Sequence, residues 1–542
     1  VRMSDEPERR EAGTPRPDGD DPDAWRTFWQ VQGQPWRTEP EIAAARRREL
    51  AQARTVRPDI ARGIYPFAAM RLTRADVEWL LATHDNERGP IDWSDPAQRA
   101  RDGLDLRGAD LHDVDLSSLP LARLCGGLPE DAWRNVAANQ LATAHLHLER
   151  ATLTSAHLEG ATLEGAHLEE AKLGGAHLEG ANLGFALLEG AYLSEAHLEG
   201  ASLVGASLVG ANLTDAHLEG AALQHAVLSG AELFATHLEG AKLRNATLSG
   251  KQLSEPDLAR LRRWRSDFPE TLPGAFLGGA FLDPATALDE AILGDIVGES
   301  VSLADLRWGG VNLAVVDWVP VRVLGDEAEA WRAAQHYEKA KGDAARLPEL
   351  RRELLEAFRV AVRANRQLAV ALRDQGLSEE ADRYAYRAQK LNREVLWRQA
   401  IWGQALWSVS ESQAAGPHRA RSRQRRLRLG QRAQKLGSYL FSYFLDALSG
   451  YGYRPGRSLA AYVVTLVLFS VVFFVLGHAA GTPLSWIGAI ALSISSFHGR
   501  GFFPGSVTPG DPVTIAAAAE AIVGLIIELS FIATFTQRYF GR

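Results

Sequence analysis

Five histidines recur at intervals of twenty residues, His157, His177, His197, His217 and His237, and each is followed two positions later by a glutamate, from Glu159 to Glu239. Imidazole changes charge near neutral pH, and beside a carboxylate it can hold a proton or a divalent metal. A second group lies toward the C-terminal end: Ser496, Phe497, His498, Gly499, Arg500 and Gly501, with Glu528 further along in an apolar stretch. The glycines at 499 and 501 can supply the positive φ of a tight loop. An isolated charge in an apolar segment is costly unless it faces a cavity or a partner, which marks Glu528 as a candidate functional residue, the alternative being a protonated carboxyl hydrogen-bonded to a neighbouring helix. No catalytic constellation accompanies these groups, since the sequence holds no glycine-rich phosphate loop, nucleophile elbow or Cys/His cluster of zinc spacing. The chain reads as a non-enzyme, with neither cofactor nor metal implied by a motif.

The histidines lie in a stretch from Leu148 to Leu253 in which leucine occupies every fifth position from Leu153 to Leu248. Alanine stands two residues before each of these leucines, Thr236 being the exception. In an α-helix a step of five residues turns about 500°, or about 140° net, so the leucines would scatter around the axis. In a straight strand an odd step sends successive leucines to opposite faces. The chain must therefore bend at every repeat, burying alanine and leucine and turning the other three residues to water. Such a fixed short period marks a solenoid whose units lack a core of their own. Parity alone allows three or four faces per turn.

Ala211-Asn212-Leu213-Thr214-Asp215 and its neighbours resemble the pentapeptide-repeat family, A-[DN]-L-x-x. The resemblance implies a right-handed quadrilateral β-helix with four repeats per turn and turns about 4.8 Å apart. The five histidines would then stack in one column and their glutamates in a second on the same face. Like charges at that spacing repel by about 1 kcal/mol in water, and the opposite column offsets this. Such a face could bind metal or respond to pH near 6; the alternative is that repeat duplication left identical solvated residues.

The 542 residues predict three or four domains. The expected fold class is mixed: a pentapeptide solenoid, an α-helical hairpin domain and an α-helical two-span membrane domain with a re-entrant pore helix. Residues 1–23 are polar, Pro-rich and acidic, reading as a disordered tail and not a signal peptide. A helical N-terminal cap is expected over 24–100 and the β-helix over 101–325, cleanest over 148–253, with an irregular second set over 274–318. Within it the repeats break at Pro120 to Asn139, and a helical insert is expected from Leu258 to Trp264. Residues 326–415 predict the hairpin, whose pair around Ala381 and Ala388 resembles a tetratricopeptide unit; Trp397, Trp402 and Trp407 follow as packing residues. Cys125, the one cysteine, excludes an intrachain disulfide and suits a reducing compartment.

Net charge is −8, but it is segregated. Between Ala144 and Leu253 stand 13 Asp/Glu against 5 Lys/Arg, while Arg419 to Lys435 is strongly basic. This run opens a basic amphipathic juxtamembrane segment over 416–458. It precedes a two-span region over 459–542, in which Leu459 to Leu476 and Val513 to about Phe535 are long and apolar enough to cross a bilayer. Leu484 to Phe497, between them, is too short to span and has the length of a re-entrant helix. The basic residues before the first span, with Arg538 and Arg542 after the second, place both ends in the cytoplasm by the positive-inside rule. Headgroup contact explains the basic run better than nucleic acid does.

Span, short helix, glycine-bearing loop and span resemble the two-helix pore domain of potassium channels. Ser495-Ser496-Phe497-His498-Gly499-Arg500-Gly501 stands where that family has T-T-x-G-Y-G, and Glu520-Ala521-Ile522-Val523-Gly524-Leu525 lies in the second span. Phe497 replaces the threonine whose hydroxyl completes the innermost ion site, and Arg500 would form a ring of positive charge in an assembly of four. Potassium selectivity is therefore not expected.

These features predict a multi-pass protein of a bacterial inner membrane, a homotetramer around a pore, with both termini and the solenoid cytoplasmic. The solenoid would engage a protein or small ligand as an interaction or gating module. Two alternatives stand beside it: a membrane-tethered scaffold without transport, and a DNA-mimicking protein that binds type II topoisomerases, as some acidic pentapeptide-repeat proteins do.

Overall fold

The computed structural model describes residues 16–17, 19, 21–128, 143–252, 255, 258–259, 262–263, 271–294, 300–343, 345–402, 418–479, 484–499 and 510–539, with the backbone alone at 251, 418–433, 455, 534 and 537–539. Residues 1–15 of the tail, the insert's Trp264, the indole of Trp407 and the loop residues Arg500 and Gly501 lie outside this set. The chain divides into two compact units, Val1–Ala328 and Glu329–Arg542.

The first unit opens with helices α1 (Pro22–Val31), α2 (Ala44–Arg54) and α3 (Arg74–Ala82). Asp21 caps α1, and Thr73 and Asp76 form a reciprocal capping box at α3, satisfying backbone donors that a helix start leaves unpaired. Glu78 on α3 is fully buried yet saturated: its carboxylate accepts from Thr38 N at 2.9 Å, Glu39 N at 3.0 Å and Arg74 Nε at 2.9 Å. A buried carboxylate holds its place only with such partners.

The coil begins earlier than the repeat pattern announces, with a parallel bridge between Arg71 and Asp110. From His147 onward each rung pairs with the residue twenty positions on: His147 with His167, Thr152 with Lys172, His157 with His177 and Thr162 with Asn182. Four such ladders per turn make the coil four-sided. Between turns, each leucine N–H donates up the stack, as from Leu148 to the His167 carbonyl at 2.7 Å. Each corner is closed by an alanine N–H donating to the preceding leucine carbonyl, as from Ala151 to Leu148 at 3.0 Å. The residue before that alanine is left-handed, which explains the run of glycines there, Gly160 at φ 61° being one. Phe185 and Glu195 adopt the same conformation at φ 55° and 59°, at a cost of roughly 1–2 kcal/mol each that the surrounding coil must offset. The offset is ample, since every Ala and Leu at the inward repeat positions from Leu148 to Leu248 is 0–1% exposed and each buried leucine contributes about 1.5–3 kcal/mol.

Two sequence expectations need correction. The repeats do not break at Pro120: Pro120 bridges His157 and Cys125 bridges Thr162, so the turn runs on to Leu128 before residues 129–142 intervene. Neither do all three non-core positions face water, because Glu149, Glu159, Glu164, Glu169 and Glu189 are buried. The position after each leucine lies at a corner overhung by the next turn, and a long side chain there folds against the ladder. Cys125 is a free thiol pushed up to about 11 by burial, with Asp105 adding to the rise. Beyond Thr247 the stack admits excursions: short antiparallel strands β1 (Lys251–Gln252) and β2 (Thr271–Leu272) flank residues 253–270, after which Phe276, Phe281, Ala287 and Ile292 resume the four ladders. Helix α4 (Gly325–Ala340) starts at the last rungs, where the Asp326 carboxylate accepts from Leu303 N at 2.7 Å.

In the second unit α5 (Leu347–Asp374) and α6 (Ser378–Trp402) turn back on each other at Gly376, φ 81°. Leu354, Leu355, Phe358, Ala361, Leu391 and Val395 form their core. Helix α7 (His418–Ser449) follows, then α8 (Pro455–Ala479), α9 (Trp486–Phe497) and α10 (Pro512–Tyr539). Within α8 and α10, Gly456–Ala479 and Pro512–Ala533 are long and apolar enough to cross a membrane, with hydropathies of 2.8 and 2.1. Only 11% and 22% of their apolar windows are buried. Helix α9 is twelve residues long and packs against both, through Phe473, Ala489, Leu492 and Ala517.

Candidate functional site

Three places in the molecule bring functional side chains together. At the first, α9 ends in Ser496, Phe497, His498 and Gly499. His498 Nε2 lies 3.5 Å from Glu528 Oε1 on α10, while its Nδ1 faces the Ile494 carbonyl at 3.0 Å. Gly499 takes the left-handed conformation, φ 67°. Phe497 does not belong with the expected pathway side chains: it is 1% exposed and packs edge-on against Tyr462 at 4.7 Å, in a cluster with Leu448 and Ile527. An aromatic ring at the end of a short apolar helix buries more surface by turning inward than by facing a loop. Ser496 is likewise buried. The α9 terminus is held against α10 at two points. Ser493 Oγ meets the buried Glu520 Oε1 at 2.5 Å, and Gly524 leaves room for the Phe497 carbonyl, which a Cβ there would approach to 2.1 Å.

The second place was not anticipated from the sequence. Asp446 on α7 accepts from Tyr386 Oη at 2.8 Å and Arg393 Nη1 at 2.9 Å, both on α6, and from Arg457 Nη1 at 2.7 Å, on α8. Arg457 also donates to the Asp446 carbonyl at 2.7 Å, and the Arg393 guanidinium lies 4.0 Å over the Tyr443 ring. One carboxylate thus ties three helices together. Burial works to raise the Asp446 carboxyl, but hydrogen bonds from Tyr386 and Arg393 and the nearby guanidinium charges outweigh it and hold it below its ordinary value. The signal lay in composition: Asp446 is the sole acid between His418 and Arg457, in a basic stretch. The tryptophans flank this region, Trp397 against Tyr439 at 4.9 Å and Trp402 against Tyr337 at 5.2 Å.

The third place is the outer face of the coil. His157, His177, His197, His217 and His237 stack with centroids 4.8–5.1 Å apart and planes within 6°. The column continues onto the Phe281 ring at 4.4 Å, and Arg307 lies 4.3 Å over that ring. Each imidazole Nδ1 faces the glutamate two residues on, from 2.9 Å at Glu159 to 3.5 Å at Glu239. A second, shorter column pairs His147 and His167, stacked at 4.7 Å. Among the described residues, the His/Glu groups close enough to hold a metal ion all lie in these columns.

The hydrogen bond to Glu159 raises the His157 pKa against opposing burial, with the Glu159 and Glu179 charges adding to it. A raised imidazole contributes stability that is complete below its unfolded value, about 6.5, and is lost as pH rises through the folded value. The contribution of His157 to the coil's stability is therefore expected to fade as pH rises from 6 to 8. His157→Asn should lower the melting temperature more at pH 6 than at pH 8, measured by circular dichroism; an equal effect at both would remove His157 from the account.

The geometry defines a repeat protein of stacked four-sided coils, and the sequence profile of the pentapeptide repeats matches this chain in eight copies, over residues 147–184, 181–220 and 211–250. This is a pentapeptide-repeat protein, whose repeats form a right-handed β-helix. No curated protein sequence matches the chain. Among solved structures it is similar to HetL, a pentapeptide repeat protein involved in heterocyst differentiation regulation from the cyanobacterium Nostoc, at 22% identity over 47% of this chain and 98% of that one, TM-score 0.23. It is also similar to Rfr23 from the cyanobacterium Cyanothece, at 30% identity over 26% of this chain and 85% of that one, TM-score 0.10. QnrB1, a plasmid-mediated fluoroquinolone resistance protein, matches at 15% identity over 30% and 85%, TM-score 0.14.

Proposed function

We propose that this is a non-enzymatic, channel-like protein of a bacterial inner membrane, in which a cytoplasmic pentapeptide-repeat coil serves as an interaction or gating module. One observation carries the proposal: α8 and α10 leave most of their apolar surface bare, yet together they clasp a short apolar helix that ends in a glycine turn. Bare apolar helices of this length call for lipid or further copies of the chain. A clasped helix too short to span matches a re-entrant segment. Four copies around an axis would bring four α9 termini together, with His498 and Glu528 near them. Phe497 in place of a hydroxyl, and Arg500 in the loop, argue against selectivity for potassium. The Asp446 junction offers a route for the signal, since movement of the α5–α6 pair would pull on the approach to α8. A protein or ligand on the coil gates the pore only by binding its two states unequally.

Planar-bilayer recording of the purified protein tests this. The parent should conduct, and Arg500→Glu should shift the reversal potential toward cation preference. A well-folded tetramer without conductance would overturn the channel and leave a membrane-tethered scaffold.

A further inference from the structure

Three glutamates one turn apart, Glu149, Glu169 and Glu189, are 5%, 2% and 2% exposed. A column of desolvated carboxylates requires positive charge or strong donors beside it. Glu189 accepts from Ser207 Oγ at 2.8 Å. The other two face imidazoles. His147 Nδ1 is 2.9 Å from Glu149 Oε1, and His167 Nδ1 is 3.8 Å from the same oxygen and 3.6 Å from Glu169 Oε1. The second oxygen of Glu149 is buried and accepts no hydrogen bond.

We propose that His147, Glu149 and His167, with Glu169 beside His167, form a binding site for a divalent transition-metal ion of the zinc type. Bonds of about 2.0–2.2 Å in a tetrahedron put neighbouring ligand atoms roughly 3.3 Å apart, a value that the distances of 2.9, 3.6 and 3.8 Å bracket. The ligand atoms of His147, Glu149 and His167 all lie within 4.8 Å of one another, so side-chain rotation suffices to close the set. Two imidazoles with carboxylates favour zinc, nickel or copper over calcium and magnesium, which take oxygen ligands alone. The histidine side chains are 37% and 27% exposed, giving an ion a way in, while the carboxylates beneath are dry.

The long histidine column offers the same residue types in a poorer setting. From Glu179 on, the glutamate side chains of that column are 33–38% exposed, against 7% and 3% for Glu149 and Glu169, so water reaches them and competes with an ion; Glu159, at 6%, is the exception. In the short column a metal would neutralise the buried carboxylates. It would also cross-link two successive turns just after residues 129–142, where the stack resumes.

Equilibrium dialysis of the metal-stripped full chain in detergent against Zn²⁺, with excess Mg²⁺ and Ca²⁺ present, tests the site. One tight equivalent is expected, absent in His147→Asn/His167→Asn and weakened at least tenfold in Glu149→Gln, while His157→Asn/His177→Asn retains it. Glu149→Gln keeps the side-chain shape, so it carries the test if the double histidine variant does not fold; circular dichroism establishes which variants do. Zn²⁺ should also raise the melting temperature of the parent and not that of Glu149→Gln. No tight equivalent in the parent, or one that survives Glu149→Gln undiminished, would overturn the proposal.

Discussion

Asp446→Asn is expected to destabilise the second unit by about 3 kcal/mol, because it leaves the Arg393 guanidinium, 9% exposed, without its counter-charge. Most of that penalty comes from the orphaned cation and not from the lost bond. Replacing both partners in Arg393→Met/Asp446→Leu should therefore recover a large part of it, which a double-mutant cycle on thermal unfolding in detergent would measure. Arg457 retains 38% exposure and can turn to solvent, so it does not set the size of the effect. Acid should act like the mutation. A carboxyl held below its ordinary value contributes stability that is present above about pH 3.9 and lost as pH falls through the folded value. The contacts of α6 with α7 and α8 should consequently loosen below about pH 4, and the Asp446→Asn protein should lack that step. Additive costs in the double variant would show that the junction is not a coupled unit.

Gly524→Ala should also cost about 3 kcal/mol, at the top of the usual range for overpacking, because the new methyl group would sit 2.1 Å from the Phe497 carbonyl oxygen. The obstacle is backbone and not a pliant side chain, so α9 must shift away from α10 or the helices must part. Either movement strains the Ser493–Glu520 hydrogen bond and the burial of Phe497 between Tyr462 and Ile527. Thermal unfolding in detergent reads the cost. Gly456→Ala, where an added Cβ meets nothing within 4 Å, provides the control. Equal melting temperatures for the two variants would mean that α9 does not lie where it is placed here.

The coil was legible in the sequence because its physics is one-dimensional. Leucine at every fifth position rules out both helix and straight strand, and once four repeats close a turn, residues twenty apart must stack; His157 and His177 follow without further information. The helices of the second unit were legible for a similar reason, since length and apolar period are local properties. Burial of the corner glutamates was not. Glu149 and Glu199 occupy the same place in the repeat, yet their side chains are 7% and 38% exposed, because the difference depends on which residues of the next turn lean over them.

By itself, then, the sequence determined the five-residue period and the two apolar stretches, and with the family resemblance the twenty-residue register, all of which follow from patterns among residues near in chain order. Only the tertiary structure decided that Asp446 would meet partners 53 and 60 residues away, that Phe497 would turn inward, and that two imidazoles would sit over dry carboxylates. The reason is physical. Local pattern sets which face of an element is apolar, whereas desolvation and partner choice for a polar group depend on whatever distant element finally covers it.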